Sequence, residues 1–290
     1  MILSIIIVNY NTSALLKRCI NSLIQSLINK IDSKEFEIIV IDNGSTDNSL
    51  SLIAGEFPAV KLIANNHNLG FGIANNQGIK KATGEYVLLI NSDITVLDDS
   101  ITQLLDYITN SPEVDFAGGK LFNEDNTPQA SCGPFYNLVV SFVMLFLRGD
   151  KLGITRYSPN MTREVDWVSG ACLIGKKEKF EKVGLFDEKI FMYMDEIDFL
   201  YRAKKMGFHV FYYPKAKFIH FGSGSAAGKT QPVLNIYKGL LYFYSRYQSP
   251  LERRILIFML KLKALIALAI GIVTNNKYLK ATYAEAFKLV

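Results

Sequence analysis

A chain of 290 residues with 49% hydrophobic and 20% charged side chains is not a disordered polypeptide. It is long for one domain, so one elaborated domain or a domain with an appendage is expected. Its net charge of +5 suits anionic partners such as phosphates or an acidic membrane surface and is too small to argue for nucleic acid.

The N-terminal MILSIIIVNYN has no basic n-region and no small-residue cleavage site, so it reads as a strand and not as a signal peptide. Residues 3–8 are a continuous β-branched run, as in a strand buried on both faces. Thr12 is positioned to cap a helix whose apolar residues, from Leu15 to Ile28, recur at helical spacing. A second buried strand at 36–41 ends in DNGSTDNS, turn chemistry that leads into a helix reaching about Glu56. A short strand at 60–63 precedes a Gly/Asn-rich loop that enters another helix, and 86–90 forms a fourth strand. Strand and helix alternate, which predicts an α/β fold with a mostly parallel mixed sheet and helices on both faces. Ligands of such sheets sit beyond the carboxyl ends of the strands. Past Pro112 the pattern loosens. Strands are expected at 114–118, 171–174 and 208–213, a short edge strand at 215–220 and a helix at 195–206. From Pro250 onward the sequence is helical, apolar and basic. The three cysteines, Cys19, Cys132 and Cys172, are odd in number and far apart. They match neither a disulfide framework nor a zinc site and favour a reducing compartment.

Four successive strand ends carry polar clusters: Asn9, Tyr10 and Asn11; Asp42, Asn43, Ser45 and Asp47; Asn68 and Gly70; and Asn91, Ser92 and Asp93. Any one of these is ordinary turn chemistry. The sheet would bring all four to one edge, and that points to a ligand site.

Seven segments occur in order: SIIIVNYN, EIIVIDNGSTDNS, NHNLGFGIANNQGI, GEYVLLINSDI, DWVSGACLI, GLFDEKIFMYMDEIDFLYRAKKMGF and HFGSGS. Together they resemble a family-2 glycosyltransferase with the GT-A nucleotide-sugar fold. The similarity is greatest to the bacterial branch that includes many rhamnosyltransferases of cell-surface polysaccharide assembly, and it covers about residues 1–225. The resemblance implies an inverting transferase dependent on Mg2+ or Mn2+. It would move a sugar, rhamnose from dTDP-rhamnose in first place, to a hydroxyl of a lipid-linked or polysaccharide acceptor. A UDP-hexose donor and a nucleotide-sugar-binding protein without turnover are the alternatives. A nucleotidyltransferase usually begins with a Gly-rich basic loop, which VNYNTSALLKR lacks.

The donor side is assigned to Asn9, Tyr10, Asn11, Asp42, Asn43, Ser45, Asn68, Gly70, Phe71, Asn75, Asn76, Asn91 and Ser92. Tyr10 offers a ring or backbone to the base. Asp42 offers a carboxylate to the imide N–H of uracil or thymine, since Asp47 is better placed to cap the next helix. Gly70 and Gly72 let backbone approach a ligand, and the helix start beside them suits phosphate. This Gly-x-Gly is not a dinucleotide fingerprint, because position 75 is Asn. Asp93 matches the last acid of the family's metal motif, although Asn91-Ser92-Asp93 lacks both the first acid and the proline of the common forms. Magnesium often takes one or two protein carboxylates and fills its shell with diphosphate oxygens and water, so Asp93 remains a plausible ligand. His220 matches a histidine that contacts metal or diphosphate, and Ser225 and Lys229 follow on a loop that could reach phosphate. In DWVSGA, Trp167 and Gly170 are assigned to the sugars. The acids Asp195 and Glu196 open a helix, where charge–dipole stabilisation is their plainer role. The resemblance makes one of them the base. Glu196 holds the base position by alignment, while the shorter Asp195 preserves the usual reach and is preferred. Asp198 is expected to pair with Arg202 at i,i+4.

Residues 255–273 are an apolar run broken only by Lys261 and Lys263. Spanning a bilayer is close to neutral in energy. With Arg253, Arg254, Lys277 and Lys280 on its flanks, lying on an anionic surface is preferred to crossing it. Packing on the catalytic domain or in a homo-oligomer is the alternative. The expected organisation is a catalytic domain over 1–245, with a nucleotide half (1–110) and an acceptor half (111–245). A helical extension follows over 246–290, and the whole lies at the inner face of the plasma membrane.

Overall fold

Leu3, Ile5 and Ile7 point to one side of the first strand and Ile6 to the other, and all four are fully buried. In the computed structural model, which describes residues 1–28, 30–222 and 230–290, this strand is β1 (Leu3–Asn9). It is followed by α1 (Ser13–Leu27), β2 (Phe36–Asp42), α2 (Ser49–Glu56), β3 (Lys61–Ala64), α3 (Phe71–Lys81), β4 (Tyr86–Asn91), β5 (Ile94–Val96) and α4 (Ser100–Asn110). The second half holds β6 (Phe116–Phe122), β7 (Pro128–Gln129), β8 (Cys132–Gly133), α5 (Leu138–Phe146), β9 (Arg163–Glu164), β10 (Trp167–Val168), β11 (Cys172–Lys176), α6 (Lys177–Val183), α7 (Asp195–Lys205) and β12 (Val210–His220). It ends in α8 (Thr230–Tyr247), α9 (Pro250–Val273) and α10 (Lys277–Leu289).

The main sheet runs β3-β2-β1-β4-β11-β6-β12-β5. β3, β2, β1 and β4 are mutually parallel, as are β6 and β12, while β11 and β5 run against their neighbours. The expected mostly parallel mixed sheet is therefore present. Alternate residues feed two cores: Ile5, Val40 and Leu88 meet α1 and α4 on one face, while Ile6, Ile39 and Leu89 meet α3, α7 and α8 on the other.

Several expectations change. Residues 208–213 and 215–220 are not two strands with one at the edge. They form the single strand β12, internal to the sheet, with a register break between Tyr213 and Lys217. Pro214 has no N–H to give the ladder, so the break falls there. Thr12 does not cap α1 with its side chain. Its hydroxyl donates to Asn9 Oδ1 at 2.7 Å, and the Ser13 N–H is satisfied by Asp47 Oδ2 at 2.9 Å. Asp47 also accepts from Ser49 N at 3.0 Å, so one carboxylate serves the starts of both α1 and α2. All three cysteines are buried and free.

The C-terminal helices pack against the rest of the chain. Tyr244, Leu256, Leu260, Ala264 and Ala286 are fully buried in the same core as Phe116 and Tyr212 of the sheet. α9 starts with a complete capping box between Ser249 and Glu252 and with Pro250 in its first turn.

Candidate active site

The carboxyl ends of β1 and β2 lie in register, Asn9 opposite Asp42. Their side chains are in a buried crevice and satisfy one another. Asn9 Nδ2 donates to Asp42 Oδ1 at 2.8 Å and to Ser45 Oγ at 3.2 Å, and Ser45 N donates to Asp42 Oδ2 at 2.9 Å. Asn11 joins the same turn: its N–H donates to Ser45 Oγ at 2.9 Å and its Oδ1 accepts from Thr46 N at 2.7 Å. Asn43 Nδ2 donates to Asn68 Oδ1 at 2.9 Å, and its Oδ1 accepts from Leu69 N at 3.1 Å. Tyr10 remains half-buried beside this network.

Asp42 braces the turns that follow β1 and β2, each of its oxygens accepting one hydrogen bond. The residue is fully buried and both its oxygens are engaged. Asn43 is an internal brace of the 65–70 loop, and Ser92 turns inward to Thr12 Oγ1 at 2.9 Å. Asn75 donates to Phe71 O within α3. Asn76 clamps a distant segment: its Nδ2 donates to Phe186 O and its Oδ1 accepts from Phe186 N, both at 2.9 Å. At the start of α3 the Phe71 N–H donates to Phe191 O at 2.9 Å. Gly70, at φ +92°, is required there because a Cβ would stand 2.5 Å from that same carbonyl.

Asn91, Asp93 and His220 come together at the end of β4 and the antiparallel pair β5–β12. His220 Nε2 is 3.3 Å from Asp93 Oδ1 and 3.3 Å from Asn91 Nδ2. Its other nitrogen, Nδ1, is 2.6 Å from Gln129 Oε1. Gln129 Nε2 is already donating to Asn123 Oδ1 and to the His220 carbonyl, so Oε1 is an acceptor and Nδ1 carries the proton. Nε2 is thereby turned toward the Asp93 carboxylate and the Asn91 amide, the position from which an imidazole could ligate a cation. Burial pushes the Asp93 carboxyl up. His220 and backbone N–H groups more than offset this, and the group lies below its usual range. Asn91 Oδ1 is buried with no hydrogen-bond partner. A carboxylate, an orphaned amide oxygen and an oriented imidazole nitrogen are donors that suit Mg2+ or Mn2+. Among the described residues no cluster of three His, Cys, Asp or Glu side chains exists, so such a site depends on ligand oxygens for the rest of its shell. Gln129 was not apparent from the sequence, because nothing in a lone glutamine marks it as a histidine's partner. Ser225 and Lys229 lie outside the described residues.

The acid pair reaches this point from the other core. Asn91 N donates to Ala171 O at 3.2 Å. A Cβ on the preceding Gly170 would meet the Phe71 ring at 3.2 Å and Glu196 Cβ at 3.5 Å. Gly170 therefore joins the metal-motif strand, the start of α3 and the start of α7. Asp195 is 3% exposed and its Oδ2 has no hydrogen-bond partner. Burial above all, then the Glu196 carboxylate beside it, hold Asp195 well above the usual carboxylate range. Glu196 is only half-buried. The Tyr193 hydroxyl, raised first by burial, is also raised by the charges of Glu196, Asp195 and Asp93. Tyr193 and Met194, which lead into α7, are both left-handed, at φ +64° and +67°. Two such non-glycine residues cost about 1–3 kcal/mol each and concentrate at functional sites. Asp198 is buried and accepts from Arg202 at 2.9 Å, as the spacing predicts, and also from Tyr247 at 2.7 Å.

Trp167 is corrected. Its ring is 1% exposed, its Nε1 donates to Pro134 O at 2.9 Å, and the Arg156 guanidinium covers it 5.5 Å from the centroid. It presents no face to a sugar.

A family model described as Glycosyl transferase family 2 matches residues 4–184. The chain is 28% identical over 238 residues to the N-acetylglucosaminyl-diphospho-decaprenol L-rhamnosyltransferase of Mycobacterium tuberculosis, covering 76% of each chain. It is 26% identical over 227 residues to the rhamnosyltransferase WbbL of Escherichia coli, covering 75% of this chain and 82% of that one. In fold it is similar to the mannosyltransferase PcManGT of Pyrobaculum calidifontis, solved with GDP-Man and Mn2+. There the TM-score is 0.60 at 16% identity, over 99% of this chain and 79% of that one. The sheet, the site at its carboxyl edge and the match over residues 4–184 make the chain a member of glycosyl transferase family 2.

Proposed function

We propose that the chain is an inverting, divalent-cation-dependent glycosyltransferase. It moves rhamnose from dTDP-rhamnose to a hydroxyl of a lipid-linked glycan at the cytoplasmic face of the membrane. The observation that carries the transfer step is the acid pair at the start of α7, Asp195 buried and Glu196 half-buried. Gly170 packs against Glu196, and the next residue, Ala171, is hydrogen-bonded to Asn91 at the end of β4, two residues before Asp93. The names of both bacterial relatives support rhamnose as the sugar, and the decaprenol in the mycobacterial name supports a lipid-linked acceptor.

Burial and the Glu196 carboxylate both disfavour a charge on Asp195 and raise its pKa. Glu196, half-buried and against Gly170, is then the carboxylate that meets the acceptor. This reverses the preference for Asp195 drawn from side-chain length. The acceptor oxygen forms a bond to the anomeric carbon as the bond to the donor diphosphate breaks. The leaving diphosphate takes that electron pair and Glu196 takes the hydroxyl proton. Asp93, Asn91 and His220 would hold the cation, which when bound neutralises charge on the diphosphate. Asp42 and Asn43 act one step back, fixing the two loops that would carry the nucleotide.

A thermal-shift screen of nucleotide sugars with and without Mn2+ tests this reading. dTDP-rhamnose should raise the melting temperature most, only with metal, and Asp93→Asn should abolish the metal-dependent part. A larger shift with a UDP-hexose would replace the donor. No shift with any nucleotide sugar would overturn the transferase reading.

A further inference from the structure

A second polar cleft, of about 530 Å³, lies along the outer part of the sheet between β6, β12 and the start of α4. Its charged lining is Lys120, Lys215, Lys217 and Asp98, three ammonium groups against one carboxylate. Lys120 is 7% exposed. Its Nζ donates to the neutral Asn160 Oδ1 at 2.5 Å and lies 5.5 Å from the centre of the Phe122 ring. Among the described residues no carboxylate is within ion-pairing distance of Lys120, Lys215 or Lys217. A buried ammonium is ordinarily paired. Lys217 stands directly across the β6–β12 ladder from Lys120, and the register break at Pro214 sets the direction of the 214–217 segment. Lys215 and Lys217 are exposed, so the cleft opens to solvent with one buried and two accessible cations.

Lys217 precedes His220 on the same strand by three residues, about 10 Å along β12. None of the cleft's lining residues is Asn91, Asp93 or His220, so the cleft is separate from the Asp93–His220 pair and adjacent to it. We infer that it is an anion subsite that takes the phosphate or diphosphate linking the acceptor glycan to its lipid. This rests on the transferase reading above and adds to it the part of the acceptor that the protein grips. The three lysines supply point charges and rotatable donors to phosphate oxygens, and Asp98 tempers the net charge.

The test has two arms. In the first, inorganic pyrophosphate is titrated into the full chain in the presence of EDTA, which keeps the cation site empty of metal. Wild type and Asp93→Asn should bind alike, whereas Lys215→Glu/Lys217→Glu should lose about tenfold or more in affinity. Lys120→Met, which keeps the volume of a buried side chain, should do the same. No binding by wild type, or equal binding by the lysine variants, would overturn the subsite. In the second arm, KM is measured for one sugar carried either on a short prenyl diphosphate or on a neutral alkyl chain. The double lysine variant should raise KM about tenfold for the diphosphate acceptor, leaving the neutral acceptor and the donor unchanged. Loss of pyrophosphate binding with both KM values unchanged would make the ligand a free phosphate and overturn the acceptor assignment. If wild type transfers to neither acceptor, it is the transferase reading that fails, while the pyrophosphate arm still reports on the cleft.

Discussion

Asp195 and Glu196 are neighbours in sequence but sit in different media, and a pair of isosteres separates their roles. Glu196→Gln removes the proton acceptor and should lower kcat by about 10²–10⁴-fold with donor affinity unchanged. Asp195→Asn resembles the protonated acid already favoured at that site, so its loss should be clearly smaller. Equal losses in the two variants would return the base to Asp195. Stability gives an independent readout. The folded Asp195 carboxyl titrates well above its unfolded value, so its contribution to stability is complete in acid and is lost as pH rises through the folded pKa. Asp195→Asn has no such loss. Its melting temperature relative to wild type should therefore climb from weakly acid to alkaline pH, by about 2–4 °C for each kcal/mol recovered. A constant difference across pH would show that the acid is not held protonated. At the cation pair, Gln129→Leu deprives His220 Nδ1 of its acceptor and frees the ring to change tautomer. Mn2+ affinity should fall about 10–100-fold, read by metal titration in the presence of the nucleoside diphosphate. Unchanged affinity would mean that His220 is not a ligand through Nε2.

At the scale of elements, what assembles the site is the segment between α6 and α7. Asn76 holds it at Phe186, Phe191 O caps the start of α3, and Arg202 donates to Val183 O at 2.7 Å and Leu185 O at 2.6 Å. Asn76→Ala removes two buried hydrogen bonds and leaves both Phe186 backbone groups unpaired. It should cost about 2–4 kcal/mol, seen as a lower denaturant midpoint, and it should reduce kcat because Tyr193 and Met194 lose their support. A variant with full kcat at that stability cost would show the clamp to be purely structural. The alternating strands and helices of the first 110 residues are legible because each carries a strong period, and the polar clusters at 9–11, 42–47 and 91–93 stand out because they follow strands. The bracing role of Asn76 is hidden in the sequence for a physical reason. An asparagine beside a glycine-rich loop looks the same whether it faces a phosphate or a carbonyl 110 residues away. Trp167 was misread similarly, since an indole suits a sugar face and a core equally well. The single strand β12 was hidden by Pro214, which imitates a strand end.

The whole molecule presents one long apolar surface. α9 is 24 residues, about 36 Å, and among the described residues it is the one helix long and apolar enough to cross a bilayer. Its inner side is spent: Leu256, Leu260 and Ala264 are fully buried against the domain. Crossing a bilayer would strip that side from the core, so the outer side is the one available to lipid. There Leu251, Phe258, Leu262, Leu265 and Ile266 are 38–67% exposed, and the neighbouring α5 adds Val139 and Phe142, 71% and 44% exposed. Arg253, Arg254, Lys261 and Lys277 lie on or beside the same helix, each worth about 1 kcal/mol near an anionic surface. Such a stripe with cationic flanks fits a helix lying in the headgroup plane, which would bring the cleft to a lipid-linked acceptor. Deleting the tail cannot test this, because Leu256, Leu260 and Ala286 belong to the core. Phe258→Ser, Leu262→Ser and Ile266→Ser keep the inner face intact. Together they should weaken binding to anionic vesicles by roughly a hundredfold, and added salt should weaken the wild type as well. If the triple variant floats with vesicles as before and sediments as a smaller particle, the stripe joins two copies of the chain, and the membrane contact lies elsewhere.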